Sequence, residues 1–378
     1  MALEYYIRSG QKKLRCGYTT GTCAALASAG AARLLLTGTL PETLRLDTPK
    51  GVTVEVEPAE WAVEDGKARC AVQKDGGDDA DITTGHLIAA EVTRTPDGIS
   101  IDGGKGVGRV TKPGLDQPVG AAAINHVPRQ MITAAVQAVC EDVGYEGGLS
   151  VVISVPDGEE LARRTFNPSL GIEGGISILG TSGIVEPMSI QAIVDTIGVE
   201  IHQAAVSGAR DLLLTPGNYG LDFLKETALL PEKIPCVKFS NFVGEALDIA
   251  VSEGFQTALL VGHIGKLVKL AGGVMNTHSK WADCRMELFC AHAAVCGGPA
   301  DLCRKLMEAA TTDACIALLD EAGLRERVLE SLLAAIQKHL NHRAGDNMQV
   351  GAVIFSNEYG LLGQTETAKK IIEQWRRI

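Results

Sequence analysis

Hydrophobic and polar positions follow different patterns in the two halves of the chain. Between residues 43 and 104, runs such as TLRLDTP, VTVEVEP and ISIDGG are short and rich in β-branched residues, and Pro96, Asp97 and Gly98 mark a hairpin turn. Helical segments are predicted over residues 19–38, where Gly38 ends the helix, and over residues 130–142. LSVVISVPDG reads as a further strand. The first half therefore predicts an α+β domain with an antiparallel or mixed sheet.

The second half instead alternates apolar strands with helices. GISILG is followed by the loop at residues 181–183, and apolar residues then recur at helical spacing after Pro187. Three similar units follow at DLLLTPGNYG, IPCVKFSNF and TALLVGHIGKLVKLAGG, and a later strand at VGAVIFSN. This alternation predicts a Rossmann-like, three-layer α/β domain with a mostly parallel sheet. We place the domains at residues 1–170 and 171–378, with FNPSLGIEGG as the crossing. The alternative is that this stretch is a loop within a single domain.

Net charge and the number and spacing of the cysteines indicate which binding partners and which cellular compartment to expect. The 378 residues carry 35 Lys and Arg against 46 Asp and Glu, and this net charge of −11 opposes binding to nucleic acid or to an anionic membrane surface. The start of the chain lacks the pattern of a secretory signal, and no apolar run is long enough for a transmembrane helix. Ten cysteines without a CxxC pair are typical of a reducing compartment. We therefore expect a cytoplasmic protein.

Glycine and small polar residues follow the predicted strands of the second half. Ligands of open α/β sheets bind beyond the carboxyl ends of the strands, so four such loops together indicate a site large enough for a cofactor. One loop alone would be ordinary turn chemistry. The predicted cofactor-binding residues are Gly180, Thr181, Ser182, Gly183, Gly217, Asn218, Ser240, Asn241 and Gly262.

The sequence excludes some ligand classes. It contains no P-loop, and the glycines between Asp102 and Arg109 have the wrong spacing for a dinucleotide fingerprint. That run has two alternative interpretations, a flexible cationic loop that holds substrate carboxylates or a mobile hairpin. The cations of the first alternative are Lys105, Arg109, Lys112 and Arg129.

Metal and nucleophile signatures are weak, whereas three residues could accept a proton. HExxH and GxSxG do not occur, and the cysteines after residue 284 lack zinc spacing. His278 and His263 lie among glycines and polar residues, and Asp283 would share a helix face with Glu287 if a helix begins at Ser279. The acidic cluster from Asp75 to Asp81 fits a solvated turn, with a cation site as the alternative.

Several long motifs in one order carry a resemblance across essentially the whole chain. They are RCGYTTGT, KDGGDDAD, residues 125–132, GISILGTSGIVEPMS, LTPGNYG, KFSNFVGEALD and GHIGKLVKLAGGVMNTHSKWADCRME. On these motifs the chain resembles the CbiD family, the cobalt-precorrin-5B C(1)-methyltransferases of anaerobic cobalamin biosynthesis.

The resemblance implies transfer of a methyl group from S-adenosylmethionine to C-1 of cobalt-precorrin-5B. That chemistry requires alignment rather than a protein nucleophile, because an electron-rich ring carbon attacks the sulfonium methyl directly. The substrate is flat and bears many carboxylates, which gives a purpose to exposed cations and to a small-residue helix face. The substrate-binding residues implied are Thr19, Thr20, Thr22, Lys105, Arg109, Lys112, Arg129 and Lys266.

Two alternatives stay open on the sequence. A nicotinamide-dependent tetrapyrrole reductase would use the same sheet edge, although the glycine fingerprint is missing. A noncatalytic corrinoid-binding protein would need only one ligand site, whereas a transferase needs two adjoining sites. The sequence leaves a homo-oligomer open.

Overall fold

The computed structural model describes residues 3–227, 229–230 and 233–377. The chain forms two compact units, which divide between Ile190 and Gln191. The two units also have separate hydrophobic clusters.

The N-terminal unit contains fifteen short strands and three helices among the described residues. The strands are β1 (Tyr6–Ser9), β2 (Lys12–Arg15), β3 (Gly17–Tyr18), β4 (Leu44–Asp47), β5 (Thr53–Val56), β6 (Glu60–Glu64), β7 (Lys67–Gln73), β8 (Leu87–Thr95), β9 (Ile99–Gly103), β10 (Gly106–Val107), β11 (Arg109–Val110), β12 (Gly148–Ser154), β13 (Ile172–Glu173), β14 (Gly175–Ile176) and β15 (Ile184–Val185). The helices are α1 (Thr20–Thr37), α2 (His126–Val143) and α3 (Gly158–Ala162).

A five-stranded mixed sheet organises this unit. Its order is β6-β7-β8-β12-β9, with β9 parallel to β12 and the other pairs antiparallel. Helix α1 packs on β7, β8 and α2. Five of the six alanines of α1 are buried, so their small side chains let the helix approach the sheet closely. The predicted mixed sheet and both predicted helices are confirmed.

The C-terminal unit alternates strands with helices. The strands are β16 (Asp211–Thr215), β17 (Cys236–Lys238), β18 (Thr257–His263), β19 (Gln349–Ser356) and β20 (Gly360–Gln364). The helices are α4 (Ile190–Val206), α5 (Asn218–Thr227), α6 (Val243–Ser252), α7 (Ile264–Leu267), α8 (Arg285–Val295), α9 (Ala300–Glu308), α10 (Thr312–Glu321), α11 (Arg325–Ala344) and α12 (Glu366–Trp375), with a 3-10 helix at Val268–Gly272.

These strands form one sheet in the order β17-β16-β18-β19-β20, in which only the last pair is antiparallel. Alternate residues face opposite clusters, since Leu212 and Leu260 pack on the side of α6 and α11, whereas Leu213 and Leu259 pack on the side of α5 and α12. Helices thus cover both faces. The chain leaves β16 in one direction to β17 and returns to β18 on the other side, so the strand order reverses between β16 and β18.

One predicted strand and the predicted boundary differ from the structure. GISILG is not a strand of the parallel sheet. Only β14 is extended there, and it pairs with β10, while Ile178 bridges to Ile124. Because β13, β14 and β15 all pair with strands of the N-terminal unit, that unit extends to Ile190 rather than to residue 170. An apolar run predicts a strand but does not specify its partner.

Candidate functional site

The carboxyl ends of β16 and β18 bring together three of the predicted cofactor residues. Gly217 and Asn218 follow β16, and Gly262 lies near the end of β18. A Cβ atom at Gly262 would lie 3.0 Å from the Pro216 ring, so these two strand ends are in close contact. A Cβ atom at Gly217 would meet no atom within 4 Å, which leaves open space beside the first turn of α5.

The loop after β17 lies beside this edge and carries Ser240 and Asn241. Ser240 has a φ of 55°, a strained conformation for a residue other than glycine. Its carbonyl oxygen accepts a hydrogen bond from Nζ of Lys266, at 3.2 Å. Partial burial, together with the neighbouring charge of Lys269, lowers the pKa of Lys266.

His263 ends β18 and caps the short helix α7. Its Nδ1 accepts a hydrogen bond from the backbone N–H of Gly265 at 3.0 Å, so the proton of the neutral ring lies on Nε2. Burial lowers the pKa of His263, and the carboxylate of Asp313 opposes that shift. At neutral pH this histidine is therefore a hydrogen-bond donor through Nε2.

Two residues beside His263 were missed by sequence reasoning. Ser356 ends β19, and its hydroxyl donates a hydrogen bond of 2.6 Å to Oδ1 of Asp313 in the first turn of α10. The position of Ser356 at the end of the strand VGAVIFSN was a usable signal. Nothing in the sequence near Asp313 indicated that α10 begins at this edge.

The segment between the 3-10 helix and α8 is held by Asn241 and Lys269. The backbone N–H of Thr277 donates to the carbonyl oxygen of Asn241 at 2.9 Å. The ammonium group of Lys269, which is only 3% exposed, donates to the carbonyl oxygens of Thr277 at 3.0 Å and Ala282 at 2.9 Å. This segment carries the predicted proton acceptors His278 and Asp283.

Both predicted proton acceptors make hydrogen bonds within their own segment or with the start of α8. His278 is exposed, and its Nδ1 accepts the backbone N–H of Lys280 at 3.0 Å. Asp283 forms a two-point ion pair with Arg285 at 2.6 and 2.8 Å, which lowers the pKa of this carboxyl. The shared helix face with Glu287 is wrong, because α8 begins only at Arg285.

The three predicted substrate threonines lie together at the start of α1, in the N-terminal unit, and all are buried. Thr19 accepts the backbone N–H of Thr22 as the N-cap. Thr20 accepts the backbone N–H of Leu179 at 2.9 Å, and Thr22 donates to the carbonyl oxygen of Gly183 at 2.6 Å. Their hydroxyls therefore hold the Leu179–Gly183 turn.

That turn contains the predicted residues Gly180, Thr181, Ser182 and Gly183, and it lies in the N-terminal unit rather than on the edge of the parallel sheet. Gly180 has a φ of 129°, and a Cβ atom there would lie 2.4 Å from Cβ of Thr19. Gly183 has a φ of 79°, and a Cβ atom there would lie 2.7 Å from Cβ of Thr48. Both glycines are therefore required by backbone conformation and packing.

Ion pairs, rather than solvent alone, stabilise the acidic loop of the same unit. Asp75 pairs with Arg15 at 2.6 Å. Asp81 pairs at 2.7 Å with Lys74, whose side chain is 1% exposed, and accepts two hydrogen bonds from Thr83. A fully solvated turn is thus the wrong interpretation.

The predicted cationic loop packs closely against neighbouring strands. Its backbone pairs with neighbouring strands, and a Cβ atom at Gly106 would lie 1.9 Å from the carbonyl oxygen of Val155. Arg109 pairs with Asp102 at 2.7 Å, and Arg129 donates to the carbonyl oxygens of Ile124 and Ile101. Lys105 and Lys112 are exposed.

Other candidate chemistry is limited. In the described ranges no three His, Cys, Asp or Glu side chains are grouped so as to hold a metal ion. All ten cysteines are free thiols, and burial raises the pKa of Cys23 and of Cys70 to about 12. These two thiols therefore stay protonated at neutral pH. None of the described helices is long and apolar enough to cross a membrane.

Comparison with known proteins gives consistent results over most of the chain. The CbiD family model matches residues 7–187, and the CbiD C-terminal domain model matches residues 276–366. The chain is 48% identical, over 94% of its length and 92% of the relative, to a protein of Ruminiclostridium cellulolyticum named cobalt-precorrin-5B C(1)-methyltransferase. It is 43% identical to a protein of the same name from Alkaliphilus metalliredigens, over 98% of this chain and 97% of the relative.

A crystal structure of a cobalamin biosynthesis protein (cbiD) from Archaeoglobus fulgidus is 30% identical. The match covers 74% of this chain and 87% of that chain, with a TM-score of 0.40. The two family models and the full-length relatives, rather than this structural match, lead to one conclusion: the chain belongs to the CbiD family.

Proposed function

We propose that this chain transfers a methyl group from S-adenosylmethionine to C-1 of cobalt-precorrin-5B, giving cobalt-precorrin-6A and S-adenosylhomocysteine. The observation that carries the proposal is 48% identity over 94% of the chain to a relative with that printed name. We also propose that the reaction takes place in the cytoplasm, in keeping with the ten free thiols.

The proposed donor site is the edge of the C-terminal sheet where the strand order reverses, and we regard this sheet as Rossmann-like. The space at Gly217, the exposed carboxamide of Asn218 and the Nε2–H group of His263 support it. Ser240 and Asn241 contribute by holding Lys266 and the Thr277 backbone. Gly262 lets the ends of β16 and β18 approach each other. Bound there, S-adenosylmethionine supplies the electrophilic methyl group.

We assign the Gly180–Gly183 turn a structural role instead of donor binding. Its glycines are used in close packing against Thr19 and Thr48, and the hydroxyls of Thr20 and Thr22 hold its backbone. A donor site on this turn would have to disturb those contacts.

Substrate carboxylates are proposed to bind Lys105 and Lys112, which are exposed residues. Nζ of Lys112 also donates to the carbonyl oxygen of Ser169 at 3.4 Å, which leaves it further donors. Arg109 and Arg129 shape this surface from fixed positions, because an aspartate and backbone carbonyls already occupy their guanidinium groups. The proposal needs no strong base. His263 and His278 each direct Nδ1 to a backbone N–H, and Asp283 is a weak base because its pKa is lowered.

The test is anaerobic incubation of the protein with cobalt-precorrin-5B and methyl-labelled S-adenosylmethionine, followed by locating the label. Label at C-1 is expected, and its absence would exclude this reaction. Gly217→Leu should weaken donor binding at least tenfold in calorimetry while leaving the melting temperature near that of the wild type, because the added side chain meets open space. A reductase or a noncatalytic binding protein would transfer no label.

A further inference from the structure

Lys266 spans the point where the strand order of the C-terminal sheet reverses. The residue lies in α7, directly after β18, whereas its hydrogen-bond acceptor, the carbonyl oxygen of Ser240, follows β17. Strand β16 lies between those two strands. The hydrogen bond of Lys266 therefore joins the two loops that flank the carboxyl end of β16, the strand that Gly217 and Asn218 follow.

The ion pairs around Lys266 leave positive charge without a partner of opposite sign. The charge of Lys269 acts on Lys266 and helps to lower its pKa. Nζ of Lys269 lies 3.8 Å from Oδ1 of Asp283, and Asp283 forms a shorter ion pair with Arg285. Three cations in this chain of contacts thus share one carboxylate. Among the ion pairs of the described residues, none supplies a carboxylate to Lys266.

A cation that is half-buried and has only a carbonyl partner gains from a bound anion. The backbone oxygen of Ser240 uses one of the three ammonium hydrogens and brings no full negative charge. A carboxylate would satisfy further donors and offset the repulsion between Lys266 and Lys269. In a chain with a net charge of −11, Lys266 supplies a cation at this edge that has no carboxylate partner among the ion pairs of the residues that the structure describes.

We propose that the ammonium group of Lys266 binds the carboxylate of the methyl donor. The inference rests on the proposed function and deepens it, because it specifies which group of the donor meets which residue. Both reactants carry carboxylates. The donor is favoured because Lys266 and the open space at Gly217 follow the two neighbouring strands between which the strand order reverses.

The test compares S-adenosylmethionine with its decarboxylated analogue in calorimetry on the full chain. Wild-type protein should bind the decarboxylated analogue about 10- to 100-fold more weakly, the range expected for a hydrogen bond between charged groups. Lys266→Met should weaken binding of S-adenosylmethionine by a similar factor and leave binding of the analogue unchanged. Lys266→Arg should restore most of the affinity. Lys238→Met, an exposed lysine at the end of β17, is the matched control and should bind as the wild type does.

Three results would overturn the inference. The first is equal affinity of the wild-type protein for S-adenosylmethionine and its decarboxylated analogue. That result excludes a carboxylate contact even if no variant folds. Equal weakening of both donors in Lys266→Met would show an indirect effect. Weakened binding of the tetrapyrrole alone would assign Lys266 to the substrate. The labelled-methyl experiment fails or succeeds independently, since these titrations measure binding without turnover.

Discussion

At the scale of single residues, the direction of each hydrogen bond determines which donors and acceptors a side chain keeps for a further partner. The hydroxyl of Thr20 accepts a backbone N–H and the hydroxyl of Thr22 donates to a backbone carbonyl oxygen, so both hold backbone atoms of their own unit. Nδ1 of His263 accepts the backbone N–H of Gly265, so the neutral ring keeps Nε2–H as a donor. The ammonium group of Lys266 donates to one neutral acceptor and keeps two further hydrogens as donors. The residue types were readable from the sequence, whereas these directions required the structure.

Two glycines with the same φ angle allow the cost of backbone strain to be measured separately from the cost of packing. Gly183 and Gly174 both have a φ of 79°, but only Gly183 has Thr48 within reach of an added Cβ atom, at 2.7 Å. Gly174→Ala should lower the free energy of unfolding of the N-terminal unit by about 1–2 kcal/mol through backbone strain alone. Gly183→Ala should cost about 1–3 kcal/mol more, because its neighbours must move. Urea titrations, with hydrogen exchange of the α1 amides as a second readout, would measure the loss of unfolding free energy in each variant. Equal losses in Gly174→Ala and Gly183→Ala would refute the packing argument.

At the scale of elements, two buried lysines order two polar loops. Lys74 anchors the acidic loop through Asp81, and Lys269 anchors the segment that carries His278 through two carbonyl oxygens. In both cases the ammonium group lies inside the protein and the loop closes over it. Charged residues in a polar motif are typical of a solvated surface, so the sequence indicated a solvated turn for the acidic loop. In the structure Lys74 of this loop is buried and paired with Asp81.

Replacing Lys74 should destabilise the N-terminal unit strongly. Lys74→Met leaves Asp81 partly buried without its cation, at an expected cost of about 3–5 kcal/mol, whereas Lys74→Met combined with Asp81→Asn should cost less. Burial raises the pKa of Asp81, but Lys74 and Thr83 lower it more, so the net shift is downward. The contribution of the pair to stability is therefore present above the ordinary aspartate pKa and disappears as the pH falls through the lowered value.

The pH dependence of this contribution can be measured directly. Urea titrations at pH 7 and at pH 3 should show a smaller difference in unfolding free energy between wild type and Lys74→Met at the lower pH. An unchanged difference would argue against a charge effect.

Replacing Lys269 should loosen one segment rather than a whole unit. Lys269→Met leaves the carbonyl oxygens of Thr277 and Ala282 without this donor, so the amides of residues 274–283 should exchange with solvent at least tenfold faster. Lys269→Arg should recover part of the protection. The exposed residue Lys280 provides the control, because Lys280→Met keeps the backbone N–H that binds His278. Unchanged exchange in Lys269→Met would show that other contacts order the segment.

The elements themselves show how far sequence patterns can predict this fold. Helix α1 begins and ends as predicted, because Thr19 caps it and Gly38 ends it with a left-handed conformation. The strands β16, β17, β18 and β19 were also predicted, since continuous apolar runs between turns are typical of buried parallel strands. GISILG has the same local pattern but pairs with β10, and no local pattern encodes a partner so distant in the chain.

At the scale of the whole molecule, the candidate donor residues divide between two units with separate cores. The residues at 180–183 belong with the core of the N-terminal unit, whereas those at 217–218, 240–241 and 262 belong with the cores of the C-terminal unit. The sequence predicted a single edge for all of them. This division makes the location of the donor testable by asking which unit the donor stabilises.

S-adenosylmethionine should stabilise the C-terminal unit, because a ligand stabilises the folded state to which it binds. At 100 times its dissociation constant the gain is about 2.7 kcal/mol. Trp375 lies in this unit and can report on its unfolding. Its ring is fully buried, and its Nε1–H donates to Oγ1 of Thr257 at 3.1 Å, whereas Trp61 and Trp281 are exposed. The donor should therefore shift the urea midpoint seen by Trp375 fluorescence, and the exchange of α1 amides should stay unchanged. A donor that protects α1 and leaves the Trp375 midpoint in place would move the donor site to the N-terminal unit, with the Gly180–Gly183 turn as the first segment to test.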